Sequence, residues 1–120
     1  MNAVRQMDAS EPRRCLPPLS PVWRTRDRLS PGSVDTHCHV FAPVATHPLD
    51  TARGYTPAIV TIDDYRAVMQ AYGIDRAVAV QPSVYGFDNG ALFAALAAMP
   101  GRLRGVAVIP PDAPEAVSNA

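Results

Sequence analysis

The sequence lacks several features that whole classes of function require. It contains no lysine, because all 11 basic residues are arginine, and this excludes lysine Schiff-base and P-loop chemistry. It has no apolar run of about 18 residues, so we expect no membrane-spanning helix and no membrane partner. The 11 basic and 11 acidic side chains balance to a formal net charge of +0, which argues against nucleic acid as a partner.

Cysteine is also scarce, with Cys15 and Cys38 as the two examples in 120 residues. Two cysteines do not make a disulfide framework, and the first 20 residues hold no apolar segment typical of a secretory signal. We therefore expect a reducing, cytoplasmic location. Cys38 lies in an apolar run, and we interpret it as a small buried core residue and not as a nucleophile.

Residues 1–33 are predicted to form an arm rich in proline and arginine that precedes the folded domain. Its prolines exclude a long helix or a central strand; they are Pro12, Pro17, Pro18, Pro21 and Pro31. A loosely docked tail is the favoured interpretation. The alternative is an extended strip that packs through the apolar side chains of Leu16, Leu19, Val22 and Trp23.

Residues 34–120 predict one α/β domain in which strands and helices alternate. Apolar residues at helical spacing follow Thr61, which can cap a first helix that Gly73 ends. A second helix is expected after Asp88 or Asn89 and before Pro100. Its buried face is predicted to comprise Leu92, Phe93, Leu96 and Met99. Apolar runs at 34–41, 77–80 and 103–109 predict three strands, and the long connections between them suit a parallel sheet.

The first strand carries the pattern that is most typical of a functional site. Because alternate residues of a strand share a face, we expect Asp35, His37 and His39 to point one way and Cys38 the other. Two imidazoles on one face can converge on one ion or one substrate oxygen. The carboxyl ends of parallel strands are where such folds place their sites, and this position favours a functional role for the histidine pair.

Two further polar side chains follow strand ends, and the residues alone leave their roles open. Ser83 comes just after the second strand, where serine is more often a turn or capping residue. Tyr55 lies in the loop after the histidine strand and is either a packing residue or a phenol donor to an anionic substrate. His47 precedes a proline in a polar loop, and we expect it to be solvated.

Four ordered motifs resemble the amidohydrolase-related family, and most closely its 2-pyrone-4,6-dicarboxylate lactonase group. They are V-D-T-H-C-H-V-F, G-Y-T-P, R-A-V-A-V-Q-P-S-V-Y-G-F-D-N and R-L-R-G-V-A-V-I. The resemblance implies the N-terminal part of a distorted TIM (β/α)₈ barrel. It implies that His37 and His39 are the paired catalytic histidines, and that Tyr55 and Ser83 contact substrate.

The same resemblance implies the chemistry. The expected reaction is hydrolysis of a small dicarboxylate lactone formed during aromatic-compound breakdown, either without a cofactor or with one divalent metal. That metal, zinc or manganese, would be held by His37 and His39. Decarboxylases belong to the same wider family, so a carboxy-lyase is the alternative chemistry.

The sequence is shorter than the fold of this family requires. A (β/α)₈ barrel needs ~250 residues, whereas the pattern reaches about three βα units. We expect part of a larger enzyme that is inactive as an isolated chain and is completed by further residues or by a complementing C-terminal chain. A non-catalytic remnant and a small independent α/β binding domain are the remaining alternatives.

Overall fold

The computed structural model describes residues 11–19 and 25–114. In chain order the strands are β1 (Arg13–Arg14), β2 (Val34–Cys38), β3 (Tyr55–Thr56), β4 (Arg76–Val80) and β5 (Leu103–Val106). The helices are α1 (Ile62–Tyr72) and α2 (Gly90–Ala98), with a short 3₁₀ helix at Ser83–Tyr85. Strands β2, β4 and β5 form one parallel sheet in that order, which confirms the predicted α/β fold. No helix within these ranges is long and apolar enough to cross a membrane.

Helix α1 begins and ends where its capping residues predict. Thr61 accepts a hydrogen bond from the backbone N–H of Asp64, and the Asp64 carboxylate accepts one from the N–H of Thr61 at 2.7 Å. This reciprocal pair satisfies two of the free N–H groups at the start of the helix. Gly73 ends α1 in the left-handed region at φ 79°, and its N–H donates to the Met69 carbonyl.

Helix α2 departs from the prediction at one side chain. Leu92 and Met99 are buried and Leu96 packs against the core, as expected, but Phe93 is 58% exposed. The prediction for Phe93 was wrong because α2 is apolar on nearly all sides, so its hydrophobic pattern does not define a face. Phe93 follows Leu92 by one residue, which turns it about 100° away from the sheet.

Two strands are shorter than predicted, because their last residues find other backbone partners. β2 ends at Cys38, after which Phe41 forms an isolated antiparallel bridge with Val60. β5 ends at Val106, and the backbone of Val108 is bound by the side chain of Asn89. β4 extends one residue further back than predicted, to Arg76.

One face of the sheet is buried and the other is open. Both helices pack on the first face, where the core comprises Cys38, Val40, Tyr65, Met69, Ala77, Ala79, Leu92, Ala95, Met99 and Leu103. A Cβ on Gly105 would touch Leu96 and Leu92, so Gly105 faces α2. Its neighbours Arg104 and Val106 therefore point to the opposite, exposed face.

The described part of the arm docks through strand β1 and again at residues 25–29, where the Thr25 hydroxyl donates to the Ala71 carbonyl and the Leu29 N–H donates to the Tyr72 carbonyl. Strand β1 pairs in parallel with β3, joining Arg13 to Tyr55 and Arg14 to Thr56. Beyond β1, Leu16 and Leu19 are 90% and 93% exposed, so the alternative of an apolar strip is wrong for these two residues. Its other members, Val22 and Trp23, lie outside the described residues. The docking of β1 onto β3 has no counterpart in the sequence-based expectations.

We expect Asn89→Ala to lower the free energy of unfolding by about 1 kcal/mol. The Asn89 amide donates to the Val108 carbonyl at 2.9 Å, and its oxygen accepts from the Val108 N–H at 3.0 Å. The alanine variant loses both hydrogen bonds. Asn89→Asp is the matched control, since it keeps the acceptor but loses the donor. Its free energy of unfolding should lie between those of the parent and the alanine variant. Urea denaturation measures the free energy of unfolding of all three proteins. An alanine variant as stable as the parent would contradict the prediction.

Candidate functional site

His37, in β2, and His39, which follows the end of β2, come together at the carboxyl end of the sheet. The ring centroids of His37 and His39 are 4.9 Å apart, with an interplanar angle of 84°. Both side chains are exposed. Nδ1 of His39 lies 2.8 Å from the carbonyl oxygen of Val80 in β4. A carbonyl can only accept, so Nδ1 carries the proton, and Nε2 of the neutral ring is left with a free lone pair.

A β-bulge in β2 produces this arrangement. Asp35 pairs with Ala77 and Cys38 pairs with Ala79, so three steps along β2 match two steps along β4. The extra residue breaks the alternation of faces. Cys38 is buried and the histidines are exposed, as predicted. The prediction that Asp35 shares the face of the histidines was wrong, because the bulge places Asp35 on the helix side with Cys38.

Asp35 is held there by Tyr65 of α1. The Tyr65 hydroxyl donates to Oδ2 of Asp35 at 2.5 Å, and Oδ1 of Asp35 accepts from the backbone N–H of His37 at 3.0 Å. Burial, followed by the hydrogen bond to Asp35, raises the pKa of Tyr65 above its ordinary value. Tyr65 therefore remains a phenol that can donate. Sequence reasoning missed this contact because the two partners are thirty positions apart and no local pattern joins them.

Burial also raises the pKa of the Cys38 thiol; a hydrogen bond with Tyr65 opposes this shift, and the nearby Asp35 charge adds to it. A higher pKa leaves less thiolate, the reactive form, at any given pH. Cys38 is buried in the core, as interpreted from the sequence, whereas Cys15 is exposed.

We therefore expect iodoacetamide at pH 8 to alkylate Cys15 first and Cys38 at least about a hundredfold more slowly. Mass spectrometry of tryptic peptides measures both rates in one sample. Unfolding in guanidinium is the control, and it should make the two rates similar. Equal rates in the folded protein would contradict the burial of Cys38.

Of the other two predicted site residues, Tyr55 belongs to a second apolar cluster, and Ser83 directly precedes a member of that cluster, Val84. Tyr55 was predicted to lie in a loop, but it is the first residue of β3 because its backbone pairs with β1. Tyr55 is half-buried and packs with Phe41, Ala42 and Leu49 against Val84, Tyr85 and Ala91. Ser83 is exposed and starts the 3₁₀ helix that carries Val84 and Tyr85. Phe41 links this cluster to the histidine pair, since its ring centroid lies 6.2 Å from that of His39. Among the described residues, neither the Ser83 hydroxyl nor the Tyr55 phenol is hydrogen-bonded to a histidine ring.

Hydrogen bonds tie the loop after β2 to the turn after β4. The Tyr85 hydroxyl accepts from the N–H of Ala42 at 2.9 Å, and the N–H of Asp50 donates to the Val84 carbonyl at 2.7 Å. Gln81 is buried, and its amide donates to the carbonyls of Gly86 and Asp88. These bonds fix the turn that carries Ser83 relative to the loop after β2.

His47 lies apart from the histidine pair in its contacts. It is half-buried, and its Nδ1 is 3.1 Å from the Thr46 hydroxyl oxygen. Together with alanines of α2, it lines a largely apolar cavity of about 190 Å³. The expectation that His47 is fully solvated was therefore only partly right.

The histidine pair fits half of a metal site. Imidazole nitrogens suit zinc and manganese, and Nε2 of His39 has the lone pair that a ligand needs. A catalytic zinc site takes about three protein ligands, and the described residues contain no cluster of three or more metal-ligating side chains. These residues alone do not complete a metal centre, so we derive no chemical step through one.

Alternating strands and helices around a parallel sheet define this chain as part of an α/β fold. The family model described as Amidohydrolase matches residues 34–120, and the chain belongs to this family.

Several known proteins are similar to the chain, and the names printed for the first two are those of lactone hydrolases. It is 37% identical to 4-sulfomuconolactone hydrolase of Hydrogenophaga intermedia, over 82% of this chain and 33% of that protein. It is 38% identical to 2-pyrone-4,6-dicarboxylate hydrolase of Comamonas testosteroni, over 68% of this chain and 27% of that protein.

A crystal structure from Acinetobacter baumannii, described as a probable 2-pyrone-4,6-dicarboxylic acid hydrolase with citric acid bound, matches with TM-score 0.63 and 31% identity. That match covers 72% of this chain and 33% of the other. The chain spans about a third of the length of the relatives it matches, and it corresponds to their N-terminal part.

Proposed function

We propose that the chain supplies the N-terminal βα units of a hydrolase that opens the ring of a small dicarboxylate lactone. The observation that carries this proposal is the edge-to-face pair of His37 and His39 at the carboxyl end of a parallel sheet. The names of the relatives support the lactone as substrate class, and the citric acid in one related crystal structure supports an anionic, carboxylate-bearing ligand.

In this proposal the histidines act on the lactone carbonyl. The hydrogen bond from Nδ1–H of His39 to Val80 orients the ring. A proton on Nε2 would then let the ring donate to the carbonyl oxygen as negative charge develops. In this proposal the His37 ring, which lies edge-to-face beside that of His39, keeps the His39 ring in place. Attack of water on the carbonyl carbon forms a C–O bond and a tetrahedral intermediate. Collapse of this intermediate re-forms the carbonyl and breaks the ring C–O bond, and the released ring oxygen takes up a proton. A base outside the described residues, expected to be an aspartate, takes the proton from water.

Tyr55 and Ser83 are proposed to hold the substrate carboxylates. Tyr55 lies in β3 and is half-buried, whereas Ser83 follows the end of β4 and is exposed. The cluster that contains Tyr55 also contains Val84, the residue after Ser83. A phenol and a hydroxyl each donate one hydrogen bond to an anion. Where a divalent metal takes part, His37 and His39 would supply two of its ligands, and the metal would supply Lewis-acid polarisation of the carbonyl.

The sheet is proposed to continue into a TIM barrel. Each of β2 and β5 pairs with one neighbour in the described part of the sheet, and Val34 and Val106 are exposed on the uncovered face. Exposed apolar strands at two open edges favour completion by further βα units. These units would come from the same chain or from a complementing C-terminal chain. A cytoplasmic location stays a prediction.

Isotope labelling tests the reaction type in a protein whose barrel is complete. We expect hydrolysis of 2-pyrone-4,6-dicarboxylate in H₂¹⁸O to place one ¹⁸O in a carboxylate of the ring-opened product, without release of CO₂. A carboxy-lyase would instead release CO₂ and leave the product unlabelled, and this result would contradict the proposal. The isolated 120-residue chain, assayed in parallel, should show no turnover.

A further inference from the structure

The bulge in β2 places the Asp35 side chain on the helix side of the sheet. Two polar groups meet on the helix side of β2, the Tyr65 hydroxyl and the Asp35 carboxylate, and Cys38 belongs to the same buried cluster as Tyr65. Asp35 is half-buried and Tyr65 is buried. Placing a carboxylate on the core side of a sheet is unfavourable unless hydrogen bonds satisfy it. Among the described residues, the Asp35 carboxylate accepts two hydrogen bonds, one from the Tyr65 hydroxyl and one from the backbone N–H of His37.

We propose that Tyr65 is a positioning residue, which acts through Asp35 to fix the backbone of His37 and so the geometry of the histidine pair. This inference rests on the proposed role of the pair and deepens it. The chain of contacts has two steps, from the Tyr65 hydroxyl to Oδ2 of Asp35 and from Oδ1 of Asp35 to the N–H of His37.

The bulge explains why His37 needs these two contacts, from Tyr65 to Asp35 and from Asp35 to His37, which we call the brace. Residues 36 and 37 together face one residue of β4, so the regular ladder does not determine the position of His37. The Asp35 carboxylate supplies a charge-assisted acceptor at that point, which is stronger than a neutral one. Tyr65, anchored in the core beside Met69, in turn prevents the carboxylate from rotating away.

The role of Cys38 is separate. Cys38 lies in the same buried cluster as Tyr65, and the strand pairing of Cys38 with Ala79 does not involve Asp35. Removing the thiol should therefore leave the brace in place, whereas removing the hydroxyl should release it.

Amide exchange and histidine NMR in the full chain test the inference. We expect Tyr65→Phe to speed hydrogen exchange at the His37 amide by about tenfold and to shift the Hε1 resonances of both rings. Tyr72→Phe makes the same chemical change at an exposed position at the end of α1 and should change neither. Cys38→Ala should also leave both unchanged.

A double-mutant cycle separates positioning from a general loss of stability. In an Asp35→Asn background, Tyr65→Phe should change the exchange of His37 by less than about twofold, because the charge through which it acts is gone. Equal effects in both backgrounds would overturn the inference, and so would an unchanged His37 amide in Y65F. If Y65F does not fold, D35N alone must loosen the His37 amide relative to its neighbours. None of these readouts needs turnover, so an inactive enzyme would count against the lactonase proposal and not against the brace.

Discussion

Replacing His39 by glutamine lowers kcat for lactone hydrolysis by about 10²- to 10³-fold in the completed enzyme, while the fold is retained. This is the size of the loss when one preorganised donor to a developing oxyanion is removed. Glutamine can still donate to the Val80 carbonyl, so the hydrogen bond that anchors His39 has a replacement. Glutamine cannot take up and release a proton as an imidazole does, so the substitution slows the chemical step.

His47→Gln is the matched control for this prediction. It makes the same substitution at a histidine that is bonded to Thr46 and lines a separate apolar cavity. We expect its kcat to stay within about twofold of the parent. Steady-state kinetics and thermal unfolding of the parent, H39Q and H47Q test this prediction. If H39Q keeps the parental kcat, the histidine pair does not have the role given to it here.

Gly86→Ala destabilises the protein by about 2–3 kcal/mol, the largest stability effect that we expect from a single methyl group. Gly86 has φ 55° and ψ −124°, a region that residues with a Cβ rarely adopt. A Cβ at this position would also overlap Oδ2 of Asp50. Because Asp50 and the 3₁₀ helix join the loops after β2 and β4, the strain falls on the segment that carries Ser83.

Gly54→Ala is the control for backbone effects of the same substitution. Gly54 is exposed, and a Cβ there would meet no atom within 4 Å. We expect its melting temperature to change by no more than about 2 °C, whereas Gly86→Ala should lower the melting temperature by roughly 10 °C. Calorimetry of the three proteins measures both shifts. A Gly86 variant as stable as the Gly54 variant would show that the described turn is not the native one.

Features that depend on neighbours in sequence were predictable. The limits of α1 follow from the Thr61 capping box and from Gly73, whose chemistry acts within one helical turn. The order of strands and helices, and the exposure of the histidines beside a buried Cys38, follow from apolar patterning in the same way.

Features that depend on distant partners were not predictable. The bulge exists only in the register between β2 and β4, so strict alternation placed Asp35 on the wrong face. The prediction that Phe93 is buried was wrong because an apolar, alanine-rich helix shows no preferred side. Asn89 was considered as a helix cap; it occupies the N-cap position, but its side chain binds Val108, which lies nineteen positions away.

The central claim is that this chain contributes the histidine pair of a lactone-opening site. The most direct test is ring opening of 2-pyrone-4,6-dicarboxylate by a protein with the barrel completed, followed by the loss of pyrone absorbance, with the His37→Gln, His39→Gln double variant beside it. We predict saturable turnover in the parent and its loss in the double variant. Absence of turnover in the parent across dicarboxylate lactones, or equal turnover in both proteins, would contradict the claim.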